Sequence, residues 1–247
     1  MTEYFTTPQG RRLAYVQTPG RGPGIVFLHG LKSDMQGTKA LALEAWAVAQ
    51  GRAFLRFDCS GHGQSGGVFE EGAIGDWFED ARAAITELTE GPQIVVGSSM
   101  GGWLALLIAR EMPERLAGLV TIAAAPDFTE DGYWASFDAG ARKALETQGF
   151  VDVPSDYGAP YQITRRLIEE GRQRLVLRAP LALPFPVRLL QGTADAAVPQ
   201  DWALRLLDHA TGPDIRLTLV KGADHRFSEP AELRLIEAAV AEVLAAL

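Results

Sequence analysis

The sequence predicts an α/β fold, with a mostly parallel sheet, helices on both of its faces and a small helical insertion above it. Three observations carry that expectation. Short continuous apolar runs of strand length alternate with longer segments of helical periodicity, the pattern of parallel strands buried on both faces. The run Val95-Val96-Gly97-Ser98-Ser99-Met100-Gly101-Gly102 puts a serine between glycines where an apolar strand passes into a helix. The chain has 247 residues, 47% of them hydrophobic and 22% charged, which suits one sizeable globular domain.

Residues 4–7 and 13–17, joined across Pro8, Gln9 and Gly10, read as a leading β-hairpin. Residues 24–28 form an apolar strand, 39–50 an alanine-rich helix and 53–57 another strand. Over 74–88, Ile74, Trp77, Phe78, Ala81, Ile85 and Leu88 make a single apolar stripe at helical spacing. Residues 94–96 are a short buried strand, and Trp103, Leu104, Leu107 and Ile108 recur at helical spacing behind the glycines. A strand over 116–124 follows. Strands over 187–190 and 215–220, with helices over 201–209 and 229–247 behind them, complete the alternation. Residues 127–185 break it, and the stretch is too long for an ordinary connection. It carries Phe128, Tyr133, Trp134, Phe137, Phe150, Tyr157 and Tyr161 among scattered prolines and glycines, and reads as a mostly helical cap whose aromatics hold it together. The expected division is a core of residues 1–126 and 186–247 with a cap of 127–185.

Composition narrows the function classes. A formal net charge of -8 argues against nonspecific binding to nucleic acid or an anionic membrane surface, both of which want clustered Lys and Arg. Cys59 is the sole cysteine, so no intrachain disulfide and no thiolate cluster can form. The start Met1-Thr2-Glu3-Tyr4-Phe5 has neither a basic flank nor an apolar core, and no apolar run reaches membrane-spanning length. A cytoplasmic protein with a small acyl substrate, and no membrane insertion, is the expectation.

The serine run has the form of a nucleophile elbow, in which Gly97 lets the backbone enter the turn and Gly101 lets the helix pass close to the strand. The same residues also suit a plain helix cap, so a base and an acid in the right chain order must decide. His225, in Gly222-Ala223-Asp224-His225-Arg226-Phe227, follows the last strand, at the carboxyl edge of the sheet where ligands bind. His209 ends an amphipathic helix, and His29 and His62 precede Ser99, against the order serine, acid, histidine. For the acid, Asp195 follows the strand over 187–190 and Asp127 follows the strand over 116–124; position favours Asp195. Asp224 adjoins His225 and reads as a loop residue. An oxyanion formed on attack needs two backbone donors, one after the nucleophile and one in the loop after the first parallel strand, which are the amides of Met100 and Leu31.

Gly61-His62-Gly63-Gln64-Ser65-Gly66 matches a GxGxxG pattern, with Asp80 about 20 residues on, as in a dinucleotide fingerprint. The glycines lead into Gly67-Val68-Phe69-Glu70-Glu71-Gly72, a loop, whereas a pyrophosphate needs a helix N-terminus there. The loop is read as a tight turn beneath the site. With no Walker motif and no histidine cluster at metal spacing, no cofactor and no metal is expected.

His29-Gly30, Gly61-His62-Gly63-Gln64-Ser65, the Ser99 elbow, Asp195 with Val198-Pro199, and His225 together resemble the α/β-hydrolase superfamily over essentially the whole chain. Gly37-Thr38-Lys39-Ala40, Arg56-Phe57-Asp58 with Ser60-Gly61, and Gly91-Pro92-Gln93 further resemble its mitochondrial depalmitoylase branch. That resemblance implies the α/β-hydrolase fold, S-depalmitoylase and acyl-glucuronide esterase activity, and Ser99, Asp195 and His225 as the triad. The lack of a transit peptide suggests a bacterial homologue, and His29 before Gly30 departs from the branch. The leading expectation is a serine hydrolase of esters or thioesters. Its alternatives are a small-peptide or amide hydrolase using the same residues, and a non-catalytic ligand receptor on the same fold. For the amide reading, Glu130 and Asp131 of the cap would hold a substrate amine; otherwise they form a solvated face.

Overall fold

Period-two alternation of apolar residues, with both sides buried, builds the sheet and its two cores. The computed structural model describes residues 1–154 and 160–247; Tyr157 lies outside the described residues. Strands β1 (Glu3–Thr6) and β2 (Arg12–Thr18) form the expected hairpin, followed by β3 (Arg21–Leu28), helix α1 (Thr38–Ala49) and β4 (Arg52–Phe57). Then come α2 (Ile74–Leu88), β5 (Gln93–Ser98), α3 (Met100–Glu111) and β6 (Leu116–Ile122). The segment after β6 holds a π-helical turn (Phe128–Trp134), α4 (Ala139–Gln148), β7 (Phe150–Val153), β8 (Tyr161–Thr164), α5 (Arg165–Gly171) and β9 (Leu181–Ala182). The chain ends with β10 (Val187–Gly192), α6 (Gln200–His209), β11 (Ala210–Thr211), β12 (Ile215–Val220) and α7 (Pro230–Ala245).

Among the described residues, eight strands form one sheet in the order β1-β2-β4-β3-β5-β6-β10-β12. β2 is antiparallel to both neighbours, and every pairing from β4 to β12 is parallel. Ile25 and Phe27 of β3, with Ile94 and Val96 of β5, pack under α1 and α7. Val26, Leu28 and Val95, from the same strands, point the other way onto α2 and α3. β5 is longer than its apolar stretch because Gly97 and Ser98 still pair with Thr121 and Ile122 of β6. β6 stops at Ile122, short of the expected end, because Ala123 turns to a φ of 47°.

The segment after β6 adds an antiparallel pair, β7 with β8, to the helices expected there. Its start and end are fastened together by Asp127, whose buried carboxylate accepts from the amides of Val176 (2.8 Å) and Leu177 (3.0 Å). Its aromatics do pack on one another: Phe128 lies edge-on to Trp103 of α3 at 5.4 Å and to Tyr133 at 5.7 Å. Glu130 pairs with Arg172, and Asp131 with Arg178 and Arg205. No helix among the described residues is long and apolar enough to cross a membrane.

Candidate active site

Ser99 occupies the sharp junction of β5 and α3 at φ 53° and ψ −117°, a conformation that costs a non-glycine residue about 1–3 kcal/mol. The surroundings hold it there. Its N–H donates to the Ile122 carbonyl at 2.9 Å, and its own carbonyl accepts from Gly102 (2.9 Å) and Ala125 (3.1 Å). A Cβ on Gly97 would lie 2.2 Å from the Gly101 oxygen, and one on Gly101 would lie 2.1 Å from the Leu28 oxygen. Both glycines therefore serve one close crossing of helix over strand ends. Gly97 is not in the left-handed region, so its role is clearance and not entry to the turn.

His225, in the loop between β12 and α7, reaches Ser99 Oγ with Nε2 at 3.1 Å and Asp195 Oδ2 with Nδ1 at 2.8 Å. A carboxylate can only accept, so Nδ1 carries the proton and the Nε2 lone pair is left facing the serine hydroxyl. The Asp195 carboxylate is fully covered and held by three further donors. These are the amides of Ala197 (3.0 Å) and Val198 (2.7 Å) on Oδ1, and Gln191 Nε2 on Oδ2 at 3.1 Å. Gln191 also donates to the carbonyl of Val198 at 2.8 Å. Such an arrangement can take a proton from a serine hydroxyl, store it on the imidazole and stabilise the resulting cation. Ser99, Asp195 and His225 are thus brought together, and Asp127 is not: its oxygens are taken by the Val176 and Leu177 amides and by Arg178. Asp224 turns its Oδ1 to the amides of Arg226 and Phe227, as a loop residue does.

Of the two amides expected to serve as donors, that of Met100 directly follows Ser99 and that of Leu31 follows Gly30, which packs against Ser99. Met100 opens α3, where a helix N–H has no intrahelical acceptor. Gly30 passes so close that a Cβ there would sit 3.3 Å from Ser99 Cβ, which brings the Gly30–Leu31 peptide alongside. Its orientation is set by His29, which chain order excluded as the base. The Cys59 N–H donates to His29 Nε2 at 3.0 Å, so the ring proton is on Nδ1, which donates to the Gly30 carbonyl at 2.8 Å. Burial holds the His29 pKa down and keeps the ring neutral. Gly30 C=O and Leu31 N–H belong to one peptide plane, so the His29 contact fixes the orientation of the Leu31 N–H. His29→Phe is expected to lower kcat by about tenfold or more by loosening that donor, with KM little changed in steady-state assays.

The other singled-out residues lie outside the chemistry. His62 is buried against His29, Phe69 and Trp77, its pKa pushed down to about 3 by burial. His209 Nε2 donates to the Ala179 carbonyl at 2.7 Å. The glycine loop closes on itself through Gly61 N–H to the Gly66 carbonyl at 2.8 Å, and Asp80 is buried against Arg11 and Ser60. Among the described residues no group of three or more His, Cys, Asp and Glu side chains is placed to hold a metal.

Ser99 and His225 open into a cleft of about 1170 Å³ between the sheet edge and the segment after β6. Phe128, Tyr133, Tyr161, Val198 and Trp202 give it an apolar wall, and Tyr133 and Tyr161 join hydroxyls across it at 2.5 Å. Lys39 and Arg226 stand on the polar side. Gln191, His29 and Lys39 were not assigned from sequence. The available signal was a polar side chain at or just past the end of a strand: Gln191 is the last residue but one of β10, and His29 directly follows β3.

A model described as the alpha/beta hydrolase family matches residues 25–237. The cattle mitochondrial palmitoyl-protein thioesterase ABHD10 (Bos taurus) is 37% identical over 238 residues, covering 94% of this chain and 76% of that protein. The structure of alpha/beta hydrolase domain-containing protein 10 from mouse superposes with a TM-score of 0.92 at 34% identity, covering 99% of this chain and 98% of that one. A crystal structure of an Agrobacterium vitis S4 protein assigned as a hydrolase superposes with a TM-score of 0.95 at 38% identity, covering 98% of both chains.

Proposed function

Because this chain belongs to the alpha/beta hydrolase family, we propose that it cleaves acyl thioesters and esters through a covalent acyl intermediate on Ser99. The observation that carries the proposal is the continuous hydrogen-bonded line Ser99–His225–Asp195 ending on a serine held at the mouth of an apolar cleft. His225 Nε2 takes the hydroxyl proton as Ser99 Oγ attacks the acyl carbon. The oxyanion is received by the amides of Leu31 and Met100. Collapse of the tetrahedral species breaks the bond to the leaving sulfur or oxygen, which receives the proton from His225. Water, deprotonated by the same imidazole, then releases the acid and restores Ser99.

The acyl chain is placed along Phe128, Val198 and Trp202, an apolar wall that suits a fatty acyl group. The ABHD10 relative is named as a palmitoyl-protein thioesterase, which supports a long acyl chain on a thiol leaving group as the preferred substrate here. Turnover of a matched series, one acyl chain presented as thioester, oxygen ester and anilide, tests the reading. Thioester and ester are expected to turn over well and the anilide poorly. A preference for the anilide overturns the choice in favour of amide hydrolysis.

A further inference from the structure

We propose that Lys39 is a positioning residue for His225: from α1 its ammonium donates to the Arg226 carbonyl and sets the register of the loop that aims the imidazole at Ser99. The inference rests on the acyl-transfer reading of Ser99 and His225.

The loop between β12 and α7 is tied on both sides of His225. Upstream, Gly222 N–H donates to Thr193 Oγ1 at 3.0 Å and the Ala223 carbonyl accepts from Ala194 at 3.0 Å, which joins the loop to the one bearing Asp195. Downstream, Phe227 adopts a φ of 48° and is fully buried in the core under α1 and α7. Between these anchors lies the Arg226 carbonyl, the next acceptor after His225, and it takes the Lys39 Nζ hydrogen bond. A charged donor on a carbonyl makes a stronger bond than a neutral one. Lys39 lines the cleft together with His225 and Arg226. The ammonium faces Asp224 on the same loop, Asp195 after β10 and Glu232 on α7, three carboxylates that favour its charge. Burial works against them and brings its pKa down to about 8, so the charge that strengthens the bond is present below that pH and is lost above it.

The full-length protein is labelled with a fluorophosphonate and the rate compared for wild type, Lys39→Met and Lys39→Arg, with circular dichroism to check folding. Lys39→Met is expected to label about ten- to a hundredfold more slowly, as displaced catalytic groups do, and Lys39→Arg to recover much of the rate. The wild-type rate is expected to fall as the pH rises through about 8, and the Lys39→Arg rate to remain level there. Lys39→Met labelling at the wild-type rate overturns the role of Lys39 and leaves the hydrolase reading intact. Should Lys39→Met fail to fold, Lys39→Gln is labelled in its place, and a folded Lys39→Gln that labels at the wild-type rate overturns the proposal. A wild type that does not label at all overturns both readings.

Discussion

Ser99→Ala is expected to lower kcat by about a million-fold and to abolish fluorophosphonate labelling, the loss seen when a serine nucleophile is removed from an intact site. The fold is expected to persist, because the elbow is held by main-chain bonds to Ile122, Ala125 and Gly102 that alanine keeps. Substrate affinity is expected to change little, since the cleft walls are untouched. Stability should not rise either: alanine at φ 53° carries the same backbone strain as serine. Adding His225→Ala to Ser99→Ala is expected to cost almost nothing more, because the two act as one unit. Single-turnover kinetics on a chromogenic ester check both outcomes. Labelling of the Ser99→Ala protein at the wild-type rate would move the nucleophile elsewhere.

The second large effect separates the two aspartates. Asp195→Asn is expected to lower kcat by about ten-thousand-fold, because the amide nitrogen of asparagine presents a donor to His225 Nδ1 and selects the wrong tautomer. Asp127→Asn is expected to leave kcat nearly unchanged and to cost about 1–3 kcal/mol in chemical denaturation, since one buried acceptor on the Val176 and Leu177 amides is lost. Burial pushes the Asp127 carboxyl above its ordinary pKa, and the Val176 and Leu177 amides oppose that shift. The opposite pattern of results would give the acid's role to Asp127.

Much of this is legible in the amino-acid sequence. The strands and helices of the core fall where apolar periodicity puts them, within a residue or two at most ends. Where the end of β5 moved, the cause is pairing: the strand runs on through Gly97 and Ser98, and only pairing with β6 makes those residues strand. The β7–β8 pair was missed because each strand has four residues, too few for alternation to stand out within an insertion rich in turn residues. Chain order sufficed to pick out Ser99, Asp195 and His225, since order follows from strand connectivity and strands were legible. Position also separated Asp195 from its rival, though the decisive fact about Asp127 is the pair of amides fifty residues away that its carboxylate serves.

The sequence by itself determined the α/β alternation, the serine elbow and the order of the three polar residues, because each depends on neighbours along the chain: apolar spacing, small residues at a turn, a side chain just past a strand. Tertiary structure alone decided which groups hold those residues in place. His29 orients the Leu31 amide through contacts to Cys59 and Gly30, Gln191 clamps Asp195, and Lys39 reaches from α1 to the loop of His225. A hydrogen bond works over about three ångströms whatever the separation along the chain, so its partners become identifiable only once the sheet has brought distant segments together.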